Sequence, residues 1–255
     1  MTRASISPRW LLRLAVVAMG LLGIAWCGLV LVALPSAGAH QRVAGKIVLG
    51  DEFRTDDLDR VSADLKISDI DLVPNAGALR TLAIVAVRRA EDAIRQGRRA
   101  EIDGSLDDLA AALDRALAAS PTDPFLWLAR FWLTNIRNGF DAAHLPLLAA
   151  SYRYGPREGW IGVRRNPLAL AVFERLDAPL REAVVSEFVG LLNSGFEGMP
   201  DVFVNAGPPA RHAILSALGG ASETARLRLS RSLYQRGFDI SVPGIVRPDT
   251  RPWSR

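Results

Sequence analysis

The first pattern along the chain is an unbroken one. From Leu14 to Leu34 there are 21 residues without a charge. A helix rises about 1.5 Å per residue, so the run spans roughly 30 Å, the thickness of a bilayer's hydrocarbon core. Arg3, Arg9 and Arg13 precede it with no acid to balance them, and Trp10 stands at the expected interfacial depth. A soluble core helix would keep a polar face, and this run has none. After Pro35 the pattern dissolves. Residues 36–75 mix Gly50, Asp51, Asp56, Asp57 and Asp59 with short apolar pieces and close on Pro74-Asn75. They read as a linker with a short helix near 55–65.

From Ala76 apolar positions recur at three- and four-residue steps. Leu79, Leu82, Ala83, Ala86, Ala90 and Ile94 line one face and Arg88, Arg89, Asp92 and Arg95 the other, predicting an amphipathic helix to about Arg98. Ser105 with Asp108 three residues on is a capping-box pattern, so the next helix is expected to begin there. Its buried stripe is Leu106, Leu109, Leu113, Ala116 and Leu117, and it stops before Ser120-Pro121. Asp123-Pro124 opens a third, because Asp123 can accept from free amides and a proline at the first position loses no helical hydrogen bond. That helix carries Phe125, Leu128, Phe131, Trp132 and Ile136 and ends at Asn138-Gly139; it is apolar nearly all round and is expected at the centre of the packing.

Further helices are predicted near 143–154, 157–165, 168–176, 178–194, 208–218 and 223–236. Their separators are Gly155-Pro156, Asn166-Pro167, Asp177, the loop from Gly195 to Gly207, and Gly219-Gly220. No segment alternates with period two between turn signals, so a sheet is not expected. The tail from Asp239, with three prolines and three arginines, reads as extended. The fold class is all-α. The expected organisation is an N-terminal and membrane-spanning or signal segment at 1–35, a linker at 36–75, a helical domain at 76–238 and a tail at 239–255.

Charge sharpens the topology. Of 31 basic residues, five stand in the first fifty positions with no acid, leaving 26 against 27 acidic residues in the rest. The positive-inside rule keeps the N-terminus cytoplasmic and exports the body, giving a single-pass arrangement. Ala37-Gly38-Ala39 before His40 has the form of a signal-peptidase site, so cleavage after Ala39 stands beside an uncleaved anchor; the apolar run is longer than a signal peptide's 7–15 residues. Either way the body is exported. Its near-neutral charge argues against nucleic acid as a partner. The single cysteine, Cys27, lies within the apolar run and excludes an intrachain disulfide.

Chemical motifs are sparse. His40, His144 and His212 are far apart and lack the spacing of a helical zinc site. No phosphate-binding loop, dinucleotide fingerprint or nucleophile elbow is present, and no cofactor or metal is implied. The densest polar-aromatic stretch holds Tyr152, Tyr154, Arg157, Glu158, Trp160, Arg164 and Arg165. Guanidinium forks grip carboxylates and aromatics stack on sugars or side chains, so these seven residues are the candidate partner-binding set. The alternative is that Tyr152 and Trp160 pack between helices while the arginines pair with nearby acids.

A shift of 35 residues superposes Pro121 on Pro156, Phe125 on Trp160 and Arg130 on Arg165. Leu109, Leu113, Ala116 and Pro121, followed by Trp127, fall at the spacing of a tetratricopeptide repeat. Leu148, Ser151 and Pro156 continue it, with His144 and Gly162 departing from it. Residues 76–176 thus resemble a degenerate tetratricopeptide-like array. The stretches Ser120–Trp127 and Ser151–Trp160, with the anchor, resemble those of uncharacterised alphaproteobacterial envelope proteins, some associated with surface polysaccharide. The resemblance implies that the membrane is a bacterial inner membrane and the C-terminal domain periplasmic. It further implies a membrane-anchored periplasmic helical-repeat scaffold or assembly factor, with the lipid bilayer, an envelope protein and a polysaccharide as partners. Three alternatives stand beside it: an all-α glycan-processing enzyme, an adaptor for another envelope pathway such as cytochrome maturation, and a protein self-associating through Ala15, Gly23 and Cys27.

Overall fold

The computed structural model describes residue 10, residues 13–28 and residues 76–246. Every regular element among them is helical. Residues 13–28 form one helix, and its apolar side chains lie open on all sides: Leu14, Val16, Val17, Met19, Leu21, Leu22, Ile24 and Trp26 are each more than half exposed. Residues 29–34 of the expected span lie outside the described residues, as do the linker 36–75, the candidate cleavage site after Ala39 and the tail beyond Val246. Among the described residues no helix is long and apolar enough to cross a membrane. The 16 residues seen as helix measure about 24 Å, short of a bilayer core.

Contacts divide the chain into Met1–Val85 and Ala86–Arg255, and the division falls inside the first helix of the body. That helix, α1 (Ala76–Arg95), is followed by α2 (Arg99–Ala119), α3 (Pro124–Asn138), α4 (Leu145–Tyr154), α5 (Gly159–Ala171), α6 (Ala178–Asn193), α7 (Met199–Asn205), α8 (Pro208–Ala217) and α9 (Glu223–Gln235). The order of packing follows the order of sequence. From α3 onward the odd helices form one layer, α3 against α5, α5 against α7 and α7 against α9; α4, α6 and α8 form the other. Each layer is thus built from helices two apart in the chain.

Leu109 and Leu113 of α2, Leu126 of α3, Leu148 of α4, Ile161 of α5, Phe188 of α6, Phe203 of α7 and Ile214 of α8 are fully buried. Each such side chain contributes about 1.5–3 kcal/mol relative to exposure. The helix expected to be central, α3, packs against α2, α4 and α5. Its start is as the sequence dictates: the Asp123 carboxylate accepts from the amides of Phe125 at 2.9 Å and Leu126 at 3.2 Å, and Pro124 takes the first position. Gly139 ends it at φ 73°, a left-handed conformation that an L side chain resists. Asp123→Ala is expected to cost about 1 kcal/mol, read as a lower denaturation midpoint with an unchanged slope.

Four expectations need correction. The second helix begins at Arg99, six residues before Ser105, whose hydroxyl donates to the Ile102 carbonyl instead of capping a helix start. Asn166-Pro167 does not separate two helices; α5 runs through Pro167, and only a short 3-10 turn at Phe173–Arg175 follows. Proline forfeits one helical hydrogen bond there, but Ile161, Arg165, Asn166, Ala169 and Leu170 are all buried and hold the helix in one piece. The loop from Gly195 to Gly207 contains α7, anchored by buried Met199 and Phe203. Asp92, assigned to the solvent face of α1, is buried between Arg88 at 3.4 Å and Arg95, a pairing that makes a buried carboxylate tolerable.

Candidate functional site

The 35-residue echo has a backbone counterpart. Helix α2 ends at Ala119 and α4 at Tyr154, 35 residues later; α3 starts at Pro124 and α5 at Gly159, again 35 later. The residues that close the two first helices share one conformation, φ −140° and ψ 71° at Ser120 against φ −140° and ψ 65° at Gly155. Their amides bond equivalent carbonyls, Ser120 to Ala116 and Gly155 to Ser151. Phe125 and Trp160, equivalent in the two units, stack on each other with centroids 5.6 Å apart.

Around the second of these connections lies a buried polar cluster. Arg165 is fully buried, and each of its five N–H groups has an acceptor. Nη1 donates to the Ser151 carbonyl at 2.7 Å and hydroxyl at 3.1 Å. Nη2 donates to the Gly155 carbonyl at 2.9 Å and to Glu187 Oε1 at 2.5 Å, and Nε reaches the same oxygen at 3.1 Å. The guanidinium also lies 3.9 Å from the centroid of the Tyr152 ring. One side chain of α5 therefore satisfies carbonyls at the end of α4, where the helix dipole favours a cation, and pairs with a carboxylate of α6. Glu187 Oε2 is taken by the Tyr152 hydroxyl at 2.6 Å and the Asn166 amide at 3.3 Å. Burial, then the charge of Glu187, pushes the Tyr152 hydroxyl well above its ordinary value. It stays protonated as a donor to Glu187, and its stabilising effect is present below the ordinary tyrosine range and lost only at more alkaline pH.

Gly162 makes this arrangement possible: a Cβ there would stand 2.9 Å from Glu187 Oε1. The cluster floors a cleft of about 420 Å³ between the α4–α5 connection and α6. Tyr152, Arg157 and Glu158 line one side of it, and Ser186, Glu187, Gly190 and Ser194 the other. Gly190 is unusual. It sits inside α6, where glycine costs about 0.5–1 kcal/mol against alanine; its φ is not positive, and a Cβ would meet nothing within 4 Å.

The seven candidate residues separate into groups. Tyr152, Arg157 and Glu158 border the cleft, and Arg165 lies beneath it. Trp160 is half-buried on Phe125, Arg164 pairs with Glu91 of α1 at 2.9 Å, and Tyr154 is exposed at the end of α4. Sequence reasoning missed the α6 side. Its signal was available: Glu187 is a lone acid between Val184 and Leu191, one turn away on either side and both buried. A carboxylate within an apolar face calls for a counter-charge. Among the described residues no group of three or more histidine, cysteine or acidic side chains is placed to hold a metal. No family model, curated protein or solved structure matches the chain.

Proposed function

We propose that this protein is a membrane-tethered helical-repeat scaffold, with its body presented on the periplasmic side of a bacterial inner membrane as a platform for an envelope partner. The observation that carries the reading is the order of packing: two layers of helices assembled from elements two apart in sequence, with a four-residue connection repeated after 35 residues. Packing of this kind builds extended surfaces without catalytic groups. The tether is supported by the 13–28 helix, whose apolar side chains are open on every side and require a cover. The charge-free sequence continues to Leu34, which is long enough for a bilayer to be that cover. A role with surface polysaccharide rests on the resemblance of the Ser120–Trp127 and Ser151–Trp160 stretches alone. The enzymatic alternative gains little, because both oxygens of Glu187 are already occupied and Glu158 is then a single carboxylate at the cleft, where glycan hydrolysis calls for a pair.

Carbonate washing of bacterial membranes tests the tether. The full chain is expected to remain in the pellet and a chain begun at residue 41 to be released; release of the full chain overturns the reading. Crosslinking in membranes, detergent purification and mass spectrometry then test the platform. A stoichiometric envelope protein retained by the full chain supports it, and recovery of the chain alone counts against it.

A further inference from the structure

We propose that the cleft between the α4–α5 connection and α6 binds a small zwitterion, an α-amino acid or a peptide of a few residues with both ends free. The inference stands apart from the scaffold reading and does not need it.

Three features converge on the cleft. The first is its charge. Glu187 at the floor is neutralised by Arg165 and has no oxygen to spare. At the mouth, the side chains of Arg157 and Glu158 are unspent: neither makes an ion pair or hydrogen bond among the described residues. One free cation and one free anion border the same opening. A ligand carrying a single charge meets a like charge there and is disfavoured, whereas a dipolar ligand satisfies both.

The second feature is the bare wall. Neither backbone conformation nor a close neighbour requires glycine at position 190, and the helix would be more stable with another residue. What Gly190 does is leave the cleft open along α6. The third is size and lining. A volume of about 420 Å³ lies within the range of small-ligand sites. The Ser186 hydroxyl, without a hydrogen-bond partner among the described residues, offers a further polar contact on the wall facing Arg157 and Glu158.

Calorimetric titration of the detergent-solubilised full chain with trialanine tests this directly. Saturable binding is expected, weakened at least tenfold when the peptide is N-acetylated and C-amidated. Gly190→Leu is expected to abolish binding while its melting temperature equals or exceeds that of the parent chain. Arg157→Gln and Glu158→Gln are each expected to weaken binding without altering the fold. Three results would overturn the proposal: no saturable binding up to ~10 mM peptide, equal affinity for the capped peptide, or unchanged affinity in Gly190→Leu.

Discussion

Replacing Arg165 with alanine is expected to destabilise the body by about 3–5 kcal/mol, the cost of leaving a buried charge without its partner. Domains of this kind are stable by only about 5–15 kcal/mol, so the variant should melt far below the parent chain and expose new protease sites at ambient temperature. The asymmetry of the pair makes the test specific. Removing Arg165 strands Glu187, which keeps only Tyr152 and Asn166, and takes the donor from the Ser151 hydroxyl and the Gly155 carbonyl, while the Ser151 carbonyl keeps the Gly155 amide. Glu187→Gln leaves the guanidinium with Ser151 and Gly155 and keeps a polar group for Tyr152, so its loss should be clearly smaller. The double variant Arg165→Met, Glu187→Leu removes both charges together and is expected to recover much of the loss, as apolar replacements of buried pairs often do. Arg165→Ala within 1 kcal/mol of the parent chain in urea unfolding would show that water reaches Glu187 and that the pair does not tie α4, α5 and α6 together.

This cluster also explains why the repeat is visible in some positions and lost in others. Equivalent residues keep the backbone landmarks: Pro121 and Pro156 lie in connections of one length, and Phe125 and Trp160 stack across the units. Trp127 and Gly162 are also equivalent, yet they solve different problems. Trp127 folds back so that its indole donates to the Pro121 carbonyl at 2.8 Å, whereas Gly162 clears space for the Glu187 carboxylate. Arg130 and Arg165 both reach the preceding helix, the first to Asp114 at the surface and the second into the buried cluster. The first unit is ordinary packing. The second holds a buried charge pair on Arg165, the equivalent of Arg130, and differs from the first at Ser151 and Gly162, which make room and contacts for it.

Helix existence was legible because it follows from short-range physics: a three-to-four-residue apolar period, an aspartate before a proline, a glycine where φ must turn positive. Tertiary burial decided what the sequence pattern misread. Pro167 punctuates the sequence, but Asn166 beside it is buried and donates to the Val184 carbonyl of α6 at 2.9 Å, so the helix passes through. The candidate site was half legible for the same reason. Tyr152, Arg157 and Glu158 are neighbours in sequence and form a recognisable polar cluster, while the opposing wall lies some thirty residues on and shows only as a lone acid within an apolar face.

The connection between α4 and α5 supplies the second large effect. Ser120 and Gly155 close equivalent helices with nearly the same backbone angles, yet one carries a Cβ and the other does not. A Cβ on Gly155 would lie 2.5 Å from Pro124 Cγ and 2.7 Å from Pro124 Cβ, both parts of a rigid ring at the start of α3. Pro124 cannot swing aside as a long side chain would, and Asp123 holds its helix end by two hydrogen bonds. Gly155→Ala must therefore push α4 away from α3, the most extensively packed pair of the body. Overpacking of this kind costs about 1–3 kcal/mol. The displacement would also lengthen the Arg165–Gly155 hydrogen bond and open the cleft's edge. Ser120→Ala, at the equivalent position, changes no backbone contact and is expected to be nearly silent. The pair of variants, compared in one unfolding series, separates the demand of this one contact from any general sensitivity of the two connections. Equal effects at the two sites would show that the close approach of Gly155 to Pro124 makes no demand of its own.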